Sequence, residues 1–488
     1  MKLFKKTPLS AGVGYGLALL AVSTGALASS AGTDLNLSTK VRAGAMAGAA
    51  YTMPQEPSAA VFGNPATLTQ FKGINFNFGA TLMGLANAEQ QQQTTIAGVG
   101  TFTNKSHSDA NNYVLPDLGI TLQVSPNLVI GTGLEVDSGI GADYRDDPIS
   151  LFGGALAPLT GVQTAVPLLV EVISFSANLA AAYQINEQLS VGASATIGFG
   201  LAQLGTSGPT DGLDELNAAL QAASQLPLGS TTLSDFGGTT SSVHDIGFGA
   251  SLGATYLVQD GVMLSATLKS PLSYNYNNII HADQTAVPGV HGHDGYQDLT
   301  IQNPTEVIFG IAFDNVIMPG LLVEADAIWK NWSDAQTFED VYEDQWVLNF
   351  GAQYKTGDWT YRAGYSYAQD ILSDKPNNTL GGLDGLGTIP LGDTASSAIS
   401  YDVIEIVQTT LVPILWKHTV TAGIGYQITD AVSVDGYISY AFAETETREP
   451  ATLDAIASGL AGSTVSTEYK TNLDAQILAG IGINIALP

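Results

Sequence analysis

The sequence contains no cysteine and is poor in basic residues. It carries 16 Lys and Arg against 45 Asp and Glu, which gives a formal net charge of −29 at pH 7. Without cysteine there is no disulfide framework, so backbone pairing and burial must stabilise the fold. The acidic balance argues against nucleic acid as a partner and against a polybasic contact with lipid. It fits solvent-facing loops rich in Asp and Glu better than a specific acidic recognition surface.

A long hydrophobic run is also missing from most of the chain. No segment after the N-terminus offers the roughly 18 uninterrupted apolar residues that indicate a spanning helix, so a helical membrane protein is excluded while a β-barrel is not. Lysines open the chain, an apolar run follows from Ala11 to Leu27, and Ala26-Leu27-Ala28 forms a small-x-small cleavage site. We therefore expect residues 1–28 to be a signal peptide that is removed on export.

From Gly73 onwards one pattern repeats, in which apolar residues alternate with small or polar ones until a break. A period of two predicts a strand with one apolar and one polar face. The clearest case closes the chain, where Ile477, Ile481, Ile483 and Ile485 alternate with polar residues or glycine. The pattern predicts fourteen strands, at approximately 73–85, 113–124, 127–138, 171–185, 188–202, 243–257, 261–276, 297–314, 321–332, 343–355, 357–369, 413–428, 431–445 and 468–486.

The connections between these segments alternate between long and short. Long loops at one end, short turns at the other and an even number of strands are typical of a bacterial outer-membrane barrel. A soluble sandwich or propeller has no reason to sort its loops by end. Closure is also required in lipid, because an open edge would leave backbone groups unpaired. We predict an all-β protein, a 14-stranded antiparallel transmembrane β-barrel covering residues 73–488.

Residues 29–72 are rich in Gly and Ala and have no strand period of their own. A segment of this kind cannot bury a core by itself, and the barrel interior is the nearest place to find one. We expect it to form an N-terminal hatch, or plug, inside the lumen, built around Asn64-Pro65-Ala66.

The same strand parity predicts which side chains face the lumen. A polar network of inward side chains follows from it, in which Arg362 lies among carboxylates and neutralises them. Aromatic residues near strand ends suit the membrane interface, although they also fit simple packing between neighbouring strands. The predicted lumen residues are Glu324, Asp326, Asn349, Gln353, Arg362 and Asp435. The predicted interface aromatics are Trp329, Trp332, Trp346, Trp359, Tyr365, Tyr367, Tyr426 and Tyr440.

These residues resemble the FadL/TodX-type outer-membrane transporters of long-chain fatty acids and other hydrophobic compounds, over essentially the whole mature sequence. The most specific match is Asn64-Pro65-Ala66, the NPA motif of that family. Weaker matches are Tyr354 after Gly351-Ala352-Gln353, Arg362-Ala363-Gly364-Tyr365, the strand opening at Pro304, and Trp329 to Trp332 followed by Ser333. The chain ends in Ala486-Leu487-Pro488 where many such barrels end in an aromatic residue; either the signal is variant or the true end lies beyond.

The resemblance implies a hatch, a loop-built surface site for the ligand, an inner pocket, and lateral release at a kinked third strand. Here that strand is 127–138, and Gly131 and Gly133 are candidates for the gap because glycines weaken a strand. The alternatives are that Gly131 and Gly133 have no special role in a glycine-rich chain, and that the NPA motif only makes a folding turn.

Three loop clusters are further candidates. Leu213, Leu216 and Leu220 recur at helical spacing after a possible N-cap at Asp211, which predicts either a surface groove for an apolar ligand or packing on other loops. His281, His291 and His293 with Asp283 and Asp294 have the residue types of a metal site, but an exposed loop rarely organises one, and we expect no metal. Asp143, Asp146 and Asp147 around Arg145 fit a solvated loop better than a cation site near lipopolysaccharide.

The sequence contains no convincing catalytic set, so we expect no enzyme and no cofactor. The predicted function is passive uptake of hydrophobic small molecules, fatty acids or hydrocarbons, by a monomer in the outer membrane. Its expected partners are the substrate, membrane lipid and lipopolysaccharide. A structural or adhesive barrel, a general porin and an outer-membrane lipase remain the alternatives.

Overall fold

The computed structural model describes residues 35–84, 88–110, 112–149, 167–206, 242–283, 294–339, 342–371 and 416–488. Within these ranges the chain forms twenty strands and a few short helices. The predicted signal peptide lies outside the described residues. None of the described helices is long and apolar enough to span a membrane.

Fourteen strands close into one antiparallel barrel, which confirms the predicted fold class. The first and last strands close the ring, pairing from Ile74↔Leu487 to Gly84↔Ile477. In ring order the strands are β1 (Ile74–Gly84), β4 (Tyr113–Ser125), β5 (Leu128–Asp143), β6 (Leu168–Gln184), β7 (Leu189–Thr206), β8 (Val243–Gln259), β9 (Val262–Lys269), β12 (Thr305–Asp314), β13 (Leu321–Asn331), β14 (Gln345–Thr356), β15 (Trp359–Ala368), β16 (His418–Gln427), β17 (Val432–Ala441) and β20 (Gln476–Leu487).

Burial alternates along these strands as the sequence pattern predicts. On β13 the inward Glu324, Asp326 and Ile328 are buried. Large apolar side chains on other strands point outward, with Phe248 at 73% and Ile481 at 65% exposure. An outward apolar face with an inward polar face is the pattern of a barrel in lipid.

Two predicted strands are each divided in two by a proline. The segment 261–276 leaves the barrel at Pro271, and 297–314 rejoins it at Pro304. Proline has no N–H for the ladder, so a strand interior is interrupted there. The parts beyond the prolines, β10 (Leu272–Asp283) and β11 (Asp294–Asn303), form a separate hairpin that packs on β7 and β8.

A four-stranded sheet stands beyond the barrel at the end with the long connections. It contains β18 (Glu444–Arg448), β19 (Val465–Leu473), β2 (Ala88–Ile96) and β3 (Gly100–His107) in that order. Helix α4 (Ala451–Ala461) packs on β19. The sequence pattern had placed 86–112 and 446–467 in loops, and the structure extends the neighbouring strand pairs into this sheet.

The N-terminal segment, residues 35–72, contains helices α1 (Leu35–Ser38), α2 (Val41–Gly44) and α3 (Pro57–Phe62), followed by a 3-10 helix at Pro65–Gln70. Nearly every side chain from 37 to 69 is buried. The segment contacts inward-facing residues of strands on several sides of the barrel, including β5, β8, β13 and β17. The described part of it is too short and irregular to form a core except against the barrel.

Candidate functional site

Strand β13 holds the middle of the N-terminal segment through two predicted lumen residues. The backbone N–H groups of Thr52 and Met53 donate to the two carboxylate oxygens of Glu324 at 2.7 and 3.1 Å. The N–H of Tyr51 donates to Asp326 at 3.4 Å. Both carboxylates stand at inward positions of β13, where they accept from backbone donors that have no helix or sheet partner.

Arg362, on β15, forms its ion pair with Asp435 of β17. Its guanidinium donates to Asp435 Oδ1 and to Gln353 Oε1, both at 2.7 Å. Arg42 of the N-terminal segment donates to the other Asp435 oxygen at 2.8 Å. Asp435 thus joins β17, β15 and the segment through a pair of arginines. Gln55, which accepts from Gln353 and donates to the Met53 carbonyl, connects this group to the Glu324 contact.

The carboxyl group of Glu56 stabilises the start of helix α2 from within the segment. Its Oε1 accepts from the N–H groups of Arg42 and Ala43 at 2.9 and 3.0 Å. Burial and the nearby Asp117 carboxylate raise the pKa of the Glu56 carboxyl to about 7, against the lowering effects of the Ala43 N–H and the Arg42 charge.

The NPA motif forms the N-terminus of the 3-10 helix and lies against β7 and β8. Asn64 Oδ1 accepts from the Ala66 N–H at 3.0 Å, and its Nδ2 donates to the carbonyls of Tyr51 at 3.1 Å and Ala254 at 3.4 Å. The directly paired Gly192 and Gly253 leave room for it, since a Cβ at Gly253 would lie 1.9 Å from Asn64 Oδ1. The motif therefore contacts β7 and β8.

Gly131 and Gly133 lie on the third barrel strand, β5, where the ladder is complete. Gly131 pairs with Thr121 of β4 and Ala180 of β6, and Gly133 is likewise paired on both sides. A Cβ at Gly131 would lie 2.9 Å from the side chains of Leu68 and Val61. The two glycines give the N-terminal segment space to approach the wall, and the ladder is not interrupted at them.

The interruption lies further along β5. Pairing between β4 and β5 ends at Leu118↔Leu134. Beyond it β4 stays with β1, while β5 stays with β6 through a bulge between Val136 and Ser138. The wall therefore splits between β4 and β5, and an apolar cluster that includes Tyr113, Leu115 and Val136 lies there with Val41 of the N-terminal segment.

An ion pair connects this split to the N-terminal segment. The Lys40 ammonium binds the Glu135 carboxylate, with side-chain exposures of 0% and 2%. Glu135 is the first residue of β5 after pairing with β4 ends. Lys40 Nζ also lies 5.0 Å from the centre of the Phe62 ring, within the range of a cation–π contact.

A cavity of about 100 Å³ lies between the N-terminal segment, β5 and the base of the β10–β11 hairpin. Its apolar lining includes Phe62, Val172, Leu272, Ile301, Trp332 and Phe338. Its charged lining is Glu135, Asp137, Lys269, Glu306 and Lys330. Apolar walls with a few placed polar groups are typical of small-molecule sites.

The two lysines of the cavity share one carboxylate. Glu306 of β12 lies directly opposite Lys269 of β9 on one side and Lys330 of β13 on the other. Both ammonium groups lie 3.3 Å from a Glu306 oxygen. Asp137, at the bulge, accepts on Oδ2 from Asn303 at 2.9 Å and Ser174 at 3.3 Å.

An apolar cluster continues outward from the cavity. Trp332 packs edge-on against Phe338 at 5.2 Å and Tyr342 at 5.5 Å between ring centres, and the same cluster includes Leu272 and Ile301. Trp332 is buried, so its prediction as an interface residue is wrong. Trp346, Trp359, Tyr426 and Tyr440 do face outward, each with at least 41% exposure.

The acidic residues around Arg145 have protein partners. Arg145 donates two bonds to Asp143, and His107 Nδ1 lies 3.0 Å from Asp147. The hydrogen bond to Asp147 raises the pKa of His107 above its ordinary value. In the described part of the chain, no group of three or more His, Asp and Glu is placed to hold a metal ion. His291 and His293 lie outside that part, as do Leu213, Leu216 and Leu220.

The chain belongs to the family described as outer membrane protein transport protein (OMPP1/FadL/TodX), whose profile it matches over residues 19–380. It is thus an outer-membrane protein of a transport family. This agrees with the resemblance inferred from the NPA motif and the strand pattern. None of the curated protein sequences compared matches the chain.

Solved structures show the same fold at low sequence identity. The P. putida toluene transporter TodX is 19% identical, with a TM-score of 0.57 over 91% of this chain and 97% of that one. A Pseudomonas aeruginosa FadL homologue is 13% identical, with a TM-score of 0.58 over 95% and 100%. The Ralstonia pickettii toluene transporter TbuX is 18% identical, with a TM-score of 0.56 over 93% and 100%.

Sequence reasoning missed several residues of this site. The sequence did contain a signal for three of them. At inward positions of predicted strands, where they are expected to face the lumen, stand Lys269, Glu306 and Lys330. The Lys40–Glu135 pair carried none, since 95 residues separate its partners. Gly192 and Gly253 were indistinguishable from the other glycines among the chain's 54.

Proposed function

We propose that the chain mediates passive uptake of small hydrophobic molecules across the outer membrane, with residues 29–72 as a movable hatch. Ligand is captured among the outer loops, passes the apolar cluster around Trp332 and enters the cavity. It then leaves sideways into the membrane through the split between β4 and β5. The substrates are apolar molecules such as fatty acids or hydrocarbons, and related proteins are named as toluene transporters.

The observation that supports this most strongly is the position of Glu135. It lines the cavity, is the first residue of β5 after the pairing with β4 ends, and is ion-paired to Lys40 of the N-terminal segment. A ligand in the cavity therefore lies beside both the hatch and the split. To shift the hatch, it must bind the open arrangement more tightly than the closed one.

A reversible crosslink tests the hatch, and the chain's lack of cysteine gives a clean background. An ideal Cβ at Gly482 on β20 would lie 3.3 Å from Val41 Cβ. This is just below the separation of about 3.5–4.5 Å in disulfides. We expect oxidised Val41→Cys/Gly482→Cys protein to lose uptake of toluene into cells, and reductant to restore it.

The single-cysteine variants, treated with the same oxidant, are the controls. Equal uptake by the oxidised and reduced double variant would show that the segment does not move during transport. Planar bilayers separate the proposal from a general porin: the plugged barrel should give no large steady ion conductance, and a porin should give it.

A further inference from the structure

We infer that the inner cavity selects neutral molecules of about one ring in size, and that Glu306 is the residue that excludes carboxylates. This inference rests on the proposed function, because it assigns a ligand class to the cavity described above. It concerns equilibrium binding, which is measured separately from uptake.

Size is the first argument. The cavity encloses about 100 Å³. For comparison, an apolar protein cavity of about 150 Å³ holds one benzene molecule. A cavity of this size has room for a small ring or a short chain, but not for an extended long-chain acid.

Charge is the second argument. Each lysine of the cavity has its ammonium group 3.3 Å from Glu306, and Lys269 Nζ also lies 5.5 Å from the Tyr51 ring centre. Asp137 and Glu135 add two further carboxylates to the same lining. An incoming carboxylate would have to compete with Glu306 for both lysines, and it would lose its water in a site that already holds three acids.

A neutral ligand avoids both costs. Its ring can pack against Phe62, Trp332 and Phe338, while a hydroxyl group can donate to a carboxylate such as Asp137. The cross-strand geometry makes Glu306 decisive, because it is the one residue directly opposite both Lys269 and Lys330. Removing its charge should release two cations towards the cavity.

Benzyl alcohol and benzoate form a matched pair of probes, since they share a ring and differ in charge at neutral pH. Binding to purified protein is followed by tryptophan emission, and the loss of the change in Trp332→Phe assigns it to the cavity. We expect wild type to prefer the alcohol by about ten-fold or more, because benzoate must compete with Glu306 for both lysines. Glu306→Gln should reduce that preference about ten-fold or reverse it.

Two further variants control for charge. Glu306→Gln/Lys330→Gln returns the cavity side chains to their original net charge, and its preference should return towards wild type. Glu468→Gln makes the same charge change on the outer sheet and should leave the preference unaltered. Heat-modifiable mobility on gels confirms that each variant forms an assembled barrel. If Glu306→Gln does not assemble, the ratio of benzyl alcohol to benzoate binding in wild type and in the double variant still tests the inference.

Equal binding of benzoate and benzyl alcohol to wild type would overturn the inference, as would an unchanged ratio in assembled Glu306→Gln or no binding of either probe. Failure of the proposed function has a different signature. In that case the binding ratio holds, but cells take up no hydrophobic compound through the protein.

Discussion

At the scale of single residues, buried ionic contacts determine where the N-terminal segment rests. Lys40–Glu135 and Arg42–Asp435 join it to β5 and β17, both in places with little solvent. A buried ion pair often contributes little net stability, because both charges lose their hydration. Removing one partner is nevertheless severe, because the other charge is left uncompensated. These pairs therefore determine position more than overall stability.

We predict that Lys40→Met alone loosens the N-terminal segment, whereas Lys40→Met/Glu135→Gln largely restores it. An uncompensated buried carboxylate costs about 3–5 kcal/mol, while the double variant leaves no buried charge at this point. Hydrogen exchange of residues 37–63 in the assembled barrel measures the effect. If the single and double variants exchange equally fast, Lys40 acts through packing on Phe62 and not through its charge.

The residues whose position could be predicted are those for which strand alternation alone decides whether the side chain faces the lumen or the lipid. Glu324, Asp326 and Arg362 were placed in the lumen because a strand alternates its faces. Their partners could not be predicted, since these depend on how an irregular segment folds inside the barrel. Asn64 shows the same limit: its turn-forming chemistry was evident, but its contact with Ala254 on β8 was not.

At the scale of elements, β5 combines a bulge, a loss of pairing with β4 and a contact with the N-terminal segment. The sequence pattern indicated a special third strand only through the family resemblance and pointed to Gly131 and Gly133. Alternation cannot reveal the split, because a strand keeps its period of two whether one or both neighbours are paired. The predicted strands 261–276 and 297–314 ran across Pro271 and Pro304, and the structure breaks both there because proline cannot donate to a ladder.

We predict that filling the split between β4 and β5 blocks lateral release. Leu115→Trp and Val136→Trp each add bulk to the buried apolar cluster that closes it, and should lower uptake of toluene. The control is Val114→Trp, a similar change on the lipid-facing side of β4, where the side chain is 54% exposed. If assembled Leu115→Trp and Val136→Trp proteins both take up toluene as well as Val114→Trp does, the result would argue against this route.

At the scale of the whole molecule, the barrel followed from strand count, loop sorting and the need to pair every backbone group in lipid. The outer structure was harder to predict. The sheet of β2, β3, β18 and β19 continues strand pairs beyond the barrel. Its sequence was predicted as loop because apolar and polar residues do not alternate along it. It includes Gln90 to Gln93, where burial alternates although the residue type does not. The ligand capture that we propose would take place at this outer sheet and its loops, which a molecule meets before the cavity.

The last prediction concerns capture by Leu213, Leu216 and Leu220, whose helical spacing predicts one apolar face on a long outer loop. Burying each leucine against a ligand would contribute about 1.5–3 kcal/mol, so exchanging all three for Ser should weaken capture strongly. We expect uptake of toluene to fall at low external concentration and to recover at high concentration, because the cavity and the split are untouched. Exchanging Leu213, Leu216 and Leu220 for Met keeps the face apolar and should preserve uptake. Normal uptake by the Ser variant at every concentration would assign these leucines to packing among the loops. Equal losses at low and high concentration would instead place their effect after capture, at the hatch or the exit.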